Sequence, residues 1–202
     1  MNKEALIILV RNPQLGSVKT RLAAKIGEKG ALKVYTALLD YTRLVASEIH
    51  SSRLVFYSDF IDDKDSWDNR IFTKFLQEGN NFGTRMCNAF KIAFNDHVRA
   101  VIIGSDCEEL TSEIIKEAFN RLSEFDVILG PAKDGGYYLM GLKKIYPELF
   151  TNKNWSTSSV FKDTLNDIKR LGLSYYLLPV LSDIDDFEDF KTSKLYGKID
   201  LS

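Results

Sequence analysis

A short loop near the start of the chain concentrates basic residues directly after an apolar run. Arg11, Lys19 and Arg21 lie in this loop, although the formal net charge of the whole chain is only −1. Gly16 lets the backbone turn tightly or approach a ligand, and a helical pattern begins at Lys19. Because free N–H groups at a helix start favour anions, the loop predicts a phosphate site. The alternative is a turn that carries solvated basic residues.

A second candidate follows another buried-strand pattern. The apolar residues 100–103 lead into a loop that contains Asp106 and Glu108. Mg²⁺ and Mn²⁺ take oxygen ligands, often one or two carboxylates together with substrate phosphates. We therefore predict that Asp106 binds a divalent metal, with Glu108 as a second ligand or a water-mediated contact. Alternatively, Asp106 caps the helix that begins near Thr111.

Two further loops carry polar groups that suit a ligand. After the apolar residues 127–129, the adjacent Gly135 and Gly136 form a loop that a ligand can approach closely, with Asp134 as its polar contact. A plain turn into a strand is the alternative. Near the C-terminus, Asp183 and Asp185 are spaced so that both point the same way from an extended chain.

The acidic C-terminal segment is expected to close over the same site. Neighbouring carboxylates repel one another unless a cation sits among them. A divalent ion held by Asp106 would supply that charge, and so would Arg11, Lys19 or Arg21. One carboxylate of Asp183 or Asp185 should then lie on the order of 4 to 6 Å from the carboxylate of Asp106 or from its metal. A solubilising tail is the alternative.

The elements that must position these loops alternate between strand and helix patterns. Apolar runs predict strands at 5–10, 54–57, 71–76, 100–103, 127–129, 137–142 and 175–178. Apolar periodicity predicts helices from 19 onward with a break at Gly27 and Gly30, and at 82–94, 111–122 and 160–171. This alternation predicts a parallel core sheet in one domain over 1–202, with ligands at the carboxyl ends of its strands.

Composition and missing motifs exclude several classes of protein. The chain has 202 residues, 45% of them hydrophobic, and no general positive charge that would attract nucleic acid. Its longest apolar run, residues 5–10, is too short to cross a bilayer, and its two cysteines suit a reducing compartment, so we expect a cytoplasmic protein. The glycines of a P-loop and of a dinucleotide fingerprint are absent, which argues against a Rossmann oxidoreductase.

Six segments together resemble one family. They are residues 11–22, 77–86, 104–107, 130–137, 155–157 and 182–185. In this order they resemble uncharacterised glycosyltransferase-like proteins with the GT-A, or nucleotide-diphospho-sugar transferase, fold, which are similar to the 2-phospho-lactate and molybdenum-cofactor guanylyltransferases. The resemblance spans nearly the whole chain. It implies a three-layer α/β/α sandwich with a mixed, mainly parallel sheet, a bound nucleotide, and Mg²⁺ or Mn²⁺.

The resemblance also implies roles for single residues. It assigns the metal to Asp106, with Asp183 or Asp185 as the second acidic contact. It implies that Lys19 and Arg21 contact the phosphates and that Gly83 and Arg85 lie near the nucleotide. With the loop residues predicted above, the candidate nucleotide or phosphate site comprises Arg11, Gly16, Lys19, Arg21, Gly83, Arg85, Gly135 and Gly136. Two departures from the family pattern are Arg11 in place of Lys and Glu108 in place of Pro.

The expected function is that of a metal-dependent transferase with a nucleotide or nucleotide-sugar donor. Either a nucleotidyl group or a sugar would move, and positioning with charge neutralisation would supply most of the rate. Lys19 and Asp106 are the predicted catalytic residues, and Asp134 or a tail aspartate is the candidate base for sugar transfer. A non-catalytic nucleotide-binding module of the same fold is the alternative.

Overall fold

The computed structural model describes residues 3–201 and contains a seven-stranded sheet flanked by helices. The strands are β1 (Glu4–Val10), β2 (Ser52–Tyr57), β3 (Phe72–Leu76), β4 (Arg99–Ile103), β5 (Val127–Pro131), β6 (Tyr137–Leu142) and β7 (Tyr175–Leu177). The helices are α1 (Thr20–Ser47), α2 (Phe82–Ala93), α3 (Ser112–Arg121), α4 (Val160–Arg170) and α5 (Phe187–Thr192), with a short 3-10 helix at Pro147–Phe150.

The strand order is β3-β2-β1-β4-β6-β5-β7. Only β6 runs against its neighbours, β4 and β5, and the other strand pairs are parallel. A parallel crossover needs a dozen or more residues, whereas β5 and β6 are joined by one tight loop through Gly135, so β6 must reverse. The predicted α/β fold with a mixed, mainly parallel sheet is therefore confirmed.

The apolar core lies on both faces of the sheet. Because successive strand side chains point to opposite faces, Leu6 and Ile8 pack toward α1 and α3, whereas Ile7 packs with residues of α2 and α4. A third cluster joins α1 to the C-terminal segment through residues such as Leu22 and Phe190. The sheet thus has helices on both faces, in the three-layer arrangement that the resemblance implied.

Helix α1 is interrupted where the sequence predicted a break. Gly27 has φ 76° and ψ 161°, values outside the helical region, so the helix is kinked at this residue. Gly30 lies beyond the kink in the continuing helix, where it is buried against the side chain of Ile26. The first turns of α1 are therefore offset from its long second half, and they carry the predicted phosphate loop at their start.

The acidic C-terminal segment is folded against the domain and is not simply a solubilising tail. Its helix α5 is short, and it begins with a capping box in which Asp186 and Asp189 each accept backbone N–H bonds. Phe190 of α5 is 1% exposed and belongs to the apolar cluster that α1 forms with the C-terminal segment. Within residues 3–201, no helix has the length and hydrophobicity required to cross a membrane.

Candidate functional site

A cleft of about 790 Å³ lies at the carboxyl ends of β1, β2 and β4. The cleft is lined on one side by the loop after β1 and the start of α1, and on the other by the loop after β5 and the C-terminal segment. Its charged lining residues are Arg11, Lys19, Arg21, Asp59, Arg85, Asp106, Asp134, Asp183 and Asp185. The loops that the sequence selected therefore meet in one place.

Lys19 is the central contact of this cleft. Its Nζ donates to Oδ2 of Asp106 at 3.0 Å and to Oδ1 of Asp185 at 2.9 Å. Two oxygens bonded to one nitrogen at these distances are at most about 6 Å apart, so the expected closeness of Asp106 to a tail aspartate is present. The cation between them is the ammonium group of Lys19. Its side chain is only 6% exposed, so the pairs are shielded from water on the lysine side.

The electrostatics of the cluster follow from this geometry. Burial alone would lower the pKa of Lys19, but the charges of Asp106 and Asp185 raise it well above its usual range. Burial alone would raise the pKa of Asp185, but the charge and hydrogen bond of Lys19 lower it below the ordinary value. Lys19 is therefore positively charged and Asp185 negatively charged at neutral pH.

Asp183 lies in a different environment from Asp185. Burial, followed by the negative charges of Asp106 and Asp134, raises the pKa of Asp183 to about 8. Its Oδ1 is buried and has no hydrogen-bond partner among residues 3–201. A buried carboxyl oxygen without a partner is costly, and a proton or a cation would stabilise it.

The alternative helix-capping role of Asp106 is not observed. Thr111 is the N-cap residue of α3, and its side chain makes no capping hydrogen bond. The side chain of Asp106 instead contacts Lys19, and its backbone oxygen accepts a hydrogen bond from the N–H of Ile184 at 3.1 Å. Asp106 therefore joins the start of α1 to the C-terminal segment on the cleft floor.

Three arginines surround the cluster on the cleft wall. Arg11 and Arg21 are exposed residues, and their charges contribute to the lowered pKa of Asp185 after the effects of burial and Lys19. Arg85 is partly buried, and its Nε donates to the backbone oxygen of Gly79 at 3.1 Å, which fixes the side chain along the cleft. These cations can therefore meet an anion that enters the open side of the cleft.

Two buried polar side chains that the sequence analysis missed hold the loop after β1. The backbone N–H of Arg11 donates to the hydroxyl of Tyr35 at 2.8 Å, and that hydroxyl is 3.2 Å from the hydroxyl of Ser105. The side chain of Asn12 accepts from the N–H of Asp59 at 3.0 Å and donates to the oxygen of Phe60 at 2.9 Å. Tyr35 gave no signal because it falls within the apolar stripe of α1.

The predicted glycines have mixed placements. Gly136 lines the cleft, whereas Gly16, Gly83 and Gly135 are not among its lining residues. Gly16 has φ +77° and serves the turn, and Gly135 has φ +91° where an added Cβ would lie 2.2 Å from the oxygen of Ser158. An added Cβ on Gly83 would lie 2.3 Å from the backbone oxygen of Phe150. These three glycines thus relieve backbone strain or permit close packing.

The loop after β5 contributes Asp134 to the cleft. Asp134 is exposed, and its Oδ1 accepts from the N–H of Gly136 at 2.8 Å, which fixes the side chain over the turn. Tyr138 is buried, and its hydroxyl donates to the backbone oxygen of Pro179 at 2.9 Å. Tyr138 therefore ties β6 to the C-terminal segment.

Two glutamates that follow Asp106 hold the C-terminal segment in position. Oε1 of Glu108, which is 7% exposed, accepts from the N–H of Lys194 at 2.6 Å, so Glu108 faces the tail and the prediction of a metal ligand here is wrong. Oε2 of Glu109 accepts from the N–H of Ser182 at 2.8 Å. The loop that carries Asp106 thus also fixes the chain on both sides of the tail aspartates.

We expect Glu109→Ala to loosen the C-terminal segment, because the partly buried N–H of Ser182 loses its acceptor. The free energy of unfolding should fall by about 1 to 2 kcal/mol, and amide exchange at residues 181–186 should accelerate. Glu109→Gln keeps an acceptor oxygen and serves as the matched variant, with exchange close to that of the unchanged protein. Equal acceleration in both variants would show that the contact does not position the segment.

The carboxylates do not by themselves form a metal site. Within residues 3–201, no group of three or more His, Cys, Asp or Glu side chains could hold a metal ion, so the predicted set of Asp106, Asp183 and Asp185 is not a ready-made cage. The physical reason is that Lys19 lies between two of them. Mg²⁺ and Mn²⁺ nevertheless use one or two carboxylates plus substrate phosphates, and the partnerless oxygen of Asp183 suits such a cation.

Comparison with known proteins identifies related sequences and folds. Residues 41–157 match the profile of a family described as "Uncharacterized protein conserved in bacteria (DUF2064)". No curated protein matches the chain. A solved structure from Desulfovibrio desulfuricans G20, of a candidate nucleotide-diphospho-sugar transferase, superposes with a TM-score of 0.88 at 28% identity, over 98% of this chain and 90% of that one.

More distant structures share the fold. Glucosyl-3-phosphoglycerate synthase from Mycobacterium tuberculosis, solved with Mn²⁺, uridine diphosphate and glucosyl-3-phosphoglycerate, has a TM-score of 0.57 at 11% identity, over 93% of this chain and 74% of that one. A cytidylyltransferase from Leptospira borgpetersenii has a TM-score of 0.56 at 14% identity, over 89% of this chain and 76% of that one. The fold is therefore the one shared by nucleotide-sugar transferases and nucleotidyltransferases.

Proposed function

Because this chain belongs to the bacterial family DUF2064 and has the nucleotide-diphospho-sugar transferase fold, we propose that it is a metal-dependent transferase. Its donor is a nucleotide or a nucleotide sugar, bound in the cleft at the carboxyl ends of the strands. The observation that carries the proposal is the cluster of Lys19, Asp106 and Asp185, with the buried carboxyl group of Asp183 beside it.

The proposed roles follow from charge and position. Arg11, Arg21 and Lys19 surround the start of α1, where they would neutralise donor phosphates together with the free N–H groups of the helix end. Arg85, at the start of α2 and fixed by the backbone of Gly79, would contact the same donor. These charges act mainly by positioning the donor and by stabilising the negative charge that develops during transfer.

Asp106 and Asp185, with Asp183, would hold Mg²⁺ or Mn²⁺ together with the donor phosphates. When bound, the metal supplies positive charge to the phosphate oxygens. Asp134 stands at the cleft on the loop after β5, with its carboxylate anchored to the N–H of Gly136. This position suits a base that takes the acceptor proton if the transferred group is a sugar.

A thermal-unfolding panel tests the donor class directly. Nucleoside triphosphates and nucleotide sugars are added singly, each with Mn²⁺ and with a chelator. At a hundredfold excess over its dissociation constant, a bound ligand adds about 2.7 kcal/mol, which raises the unfolding midpoint by roughly 5 to 10 °C. We expect one class of compounds to give such a shift with Mn²⁺, and a panel without any shift would contradict the proposal.

Asp106→Asn tests the metal within the same panel. The substitution keeps the shape of the side chain and removes its charge, so the metal-dependent part of the shift should largely disappear while the free protein stays folded. Asp96→Asn is the matched control, because Asp96 is an exposed aspartate beyond α2 and outside the cleft lining. An unchanged shift in folded Asp106→Asn would remove Asp106 from the proposed metal site.

A further inference from the structure

Lys19 combines a rare backbone conformation with two carboxylate contacts. Its backbone has φ 48° and ψ 47°, the left-handed region that residues other than glycine rarely adopt. This conformation costs free energy, and it persists where the surroundings determine it. The ammonium group of the same residue is bound by the carboxylates of Asp106 and Asp185, at 3.0 and 2.9 Å.

These two carboxylates are also the ones that the proposed function gives to the divalent metal. An ammonium group and a divalent ion that bind the same two carboxylates disfavour each other, because like charges a few ångströms apart repel. The side chain of Lys19 is 6% exposed, whereas those of Asp106 and Asp185 are 38% and 41% exposed. The lysine therefore occupies the inner side of the pair, and the outer side faces the cleft.

We propose that Lys19 is a built-in cation that competes with the divalent metal for Asp106 and Asp185, so that the metal enters only with or after the donor phosphates. This inference rests on the proposed function, because it needs an anion that gives Lys19 a new partner. Lysine suits the role because its ammonium group is a compact charge on a flexible stem. Arg11 and Arg21, exposed at the mouth of the cleft, would bring that anion to the start of α1.

The competition predicts how the affinity for the metal changes when the donor binds. While Lys19 neutralises the carboxylates, the free protein has little affinity for a divalent ion. Once donor phosphates engage Lys19, the carboxylates are left in excess and favour Mg²⁺ or Mn²⁺. Because coupling between two ligands is reciprocal, the metal must strengthen donor binding by the same factor.

The test measures Mn²⁺ binding without any nucleotide. Free Mn²⁺ is followed by electron paramagnetic resonance in the unchanged protein, in Lys19→Gln and in Lys25→Gln. Lys19→Gln removes the charge and keeps a donor to the carboxylates, whereas Lys25→Gln removes one exposed charge from the start of α1 as a matched control. We expect Mn²⁺ to bind at least about tenfold more tightly to Lys19→Gln than to the other two proteins.

Each outcome bears on the inference separately from the proposed function. Equal or weaker Mn²⁺ binding by folded Lys19→Gln would overturn it, even if the thermal panel finds a donor. If Lys19→Gln does not fold, the measurement on the unchanged protein still tests the inference. Stoichiometric Mn²⁺ binding by the unchanged protein without nucleotide would contradict the competition. Weak binding that a nucleoside triphosphate strengthens, after correction for Mn²⁺ held by the free triphosphate, supports it. A panel without any donor would instead count against the proposed function.

Discussion

The unchanged protein should become less stable as the pH rises from about 5 to 8, and Asp183→Asn should remove this pH dependence. Burial and the charges of Asp106 and Asp134 raise the pKa of Asp183 to about 8 in the folded protein, from an ordinary value of 3.8. The folded state therefore binds a proton that the unfolded chain has already released at pH 5. The contribution is fully present below about pH 4 and lost as the pH rises through 8.

The size of the effect follows from proton linkage. While the folded state binds one proton more than the unfolded chain, each unit by which the pH rises lowers the free energy of unfolding by up to about 1.4 kcal/mol. Because the titration of Asp183 is coupled to the charges of Asp106 and Asp185, we expect a smaller total loss of stability, of order 1 to 3 kcal/mol between pH 5 and 8. Asp185 does not mask the trend, because its lowered pKa places its own contribution below this range.

Urea unfolding at several pH values, in the presence of a chelator, measures the effect. Asp183→Asn should differ least from the unchanged protein at the low end of this range, and should exceed it in stability increasingly as the pH rises to 8. Asp96→Asn, a change at an exposed aspartate, controls for the loss of one carboxylate and should follow the unchanged protein. A constant difference between Asp183→Asn and the unchanged protein across this range would show that Asp183 titrates normally.

Much of the fold could be predicted because its strands are apolar and its helices are amphipathic. The loops that carry Lys19 and Asp106 could be located because each follows a buried-strand pattern and precedes a helical one. Both loops line the cleft at the carboxyl ends of the parallel strands. The break in α1 was also visible, because Gly27 lacks the side chain that would disfavour its positive φ. Local chemistry was sufficient for these features.

Contacts between residues far apart in the sequence could not be predicted in the same way. Lys19 and Asp185 are 166 residues apart, and the spacing of neither residue indicates that the lysine would stand between two carboxylates. Helix α5 escaped notice because it has six residues and only two large apolar side chains, Phe187 and Phe190, among acidic neighbours. Glu108 looked like a metal ligand because its true partner, the N–H of Lys194, is a backbone group without a sequence signature.

The glycines show the same limit in another form. A glycine in a loop or at a helix start is compatible with ligand approach, a positive φ or close packing, and the sequence does not separate these causes. Gly83 was expected near the nucleotide, yet it lies in α2 and faces the short 3-10 helix and Trp155. Trp155 itself lines the cleft, so Gly83 supports the site through packing.

Gly83→Ala should therefore destabilise the protein strongly. The added Cβ would lie 2.3 Å from the backbone oxygen of Phe150 and 2.5 Å from the indole nitrogen of Trp155, distances that no rotamer change of Ala can relieve. Overpacking of this kind costs about 1 to 3 kcal/mol, and a clash with backbone belongs at the upper end. The midpoint of thermal unfolding should then fall by roughly 6 to 12 °C.

Gly30→Ala is the matched comparison, because Gly30 is also a buried glycine within a helix. The three atoms nearest to its added Cβ all belong to the flexible side chain of Ile26, the nearest at 3.2 Å, and the gain in helix propensity offsets part of that crowding. We expect its midpoint to change by less than a third of the change in Gly83→Ala. If Gly83→Ala keeps its midpoint but loses nucleotide binding, Gly83 acts at the ligand and the packing explanation is wrong.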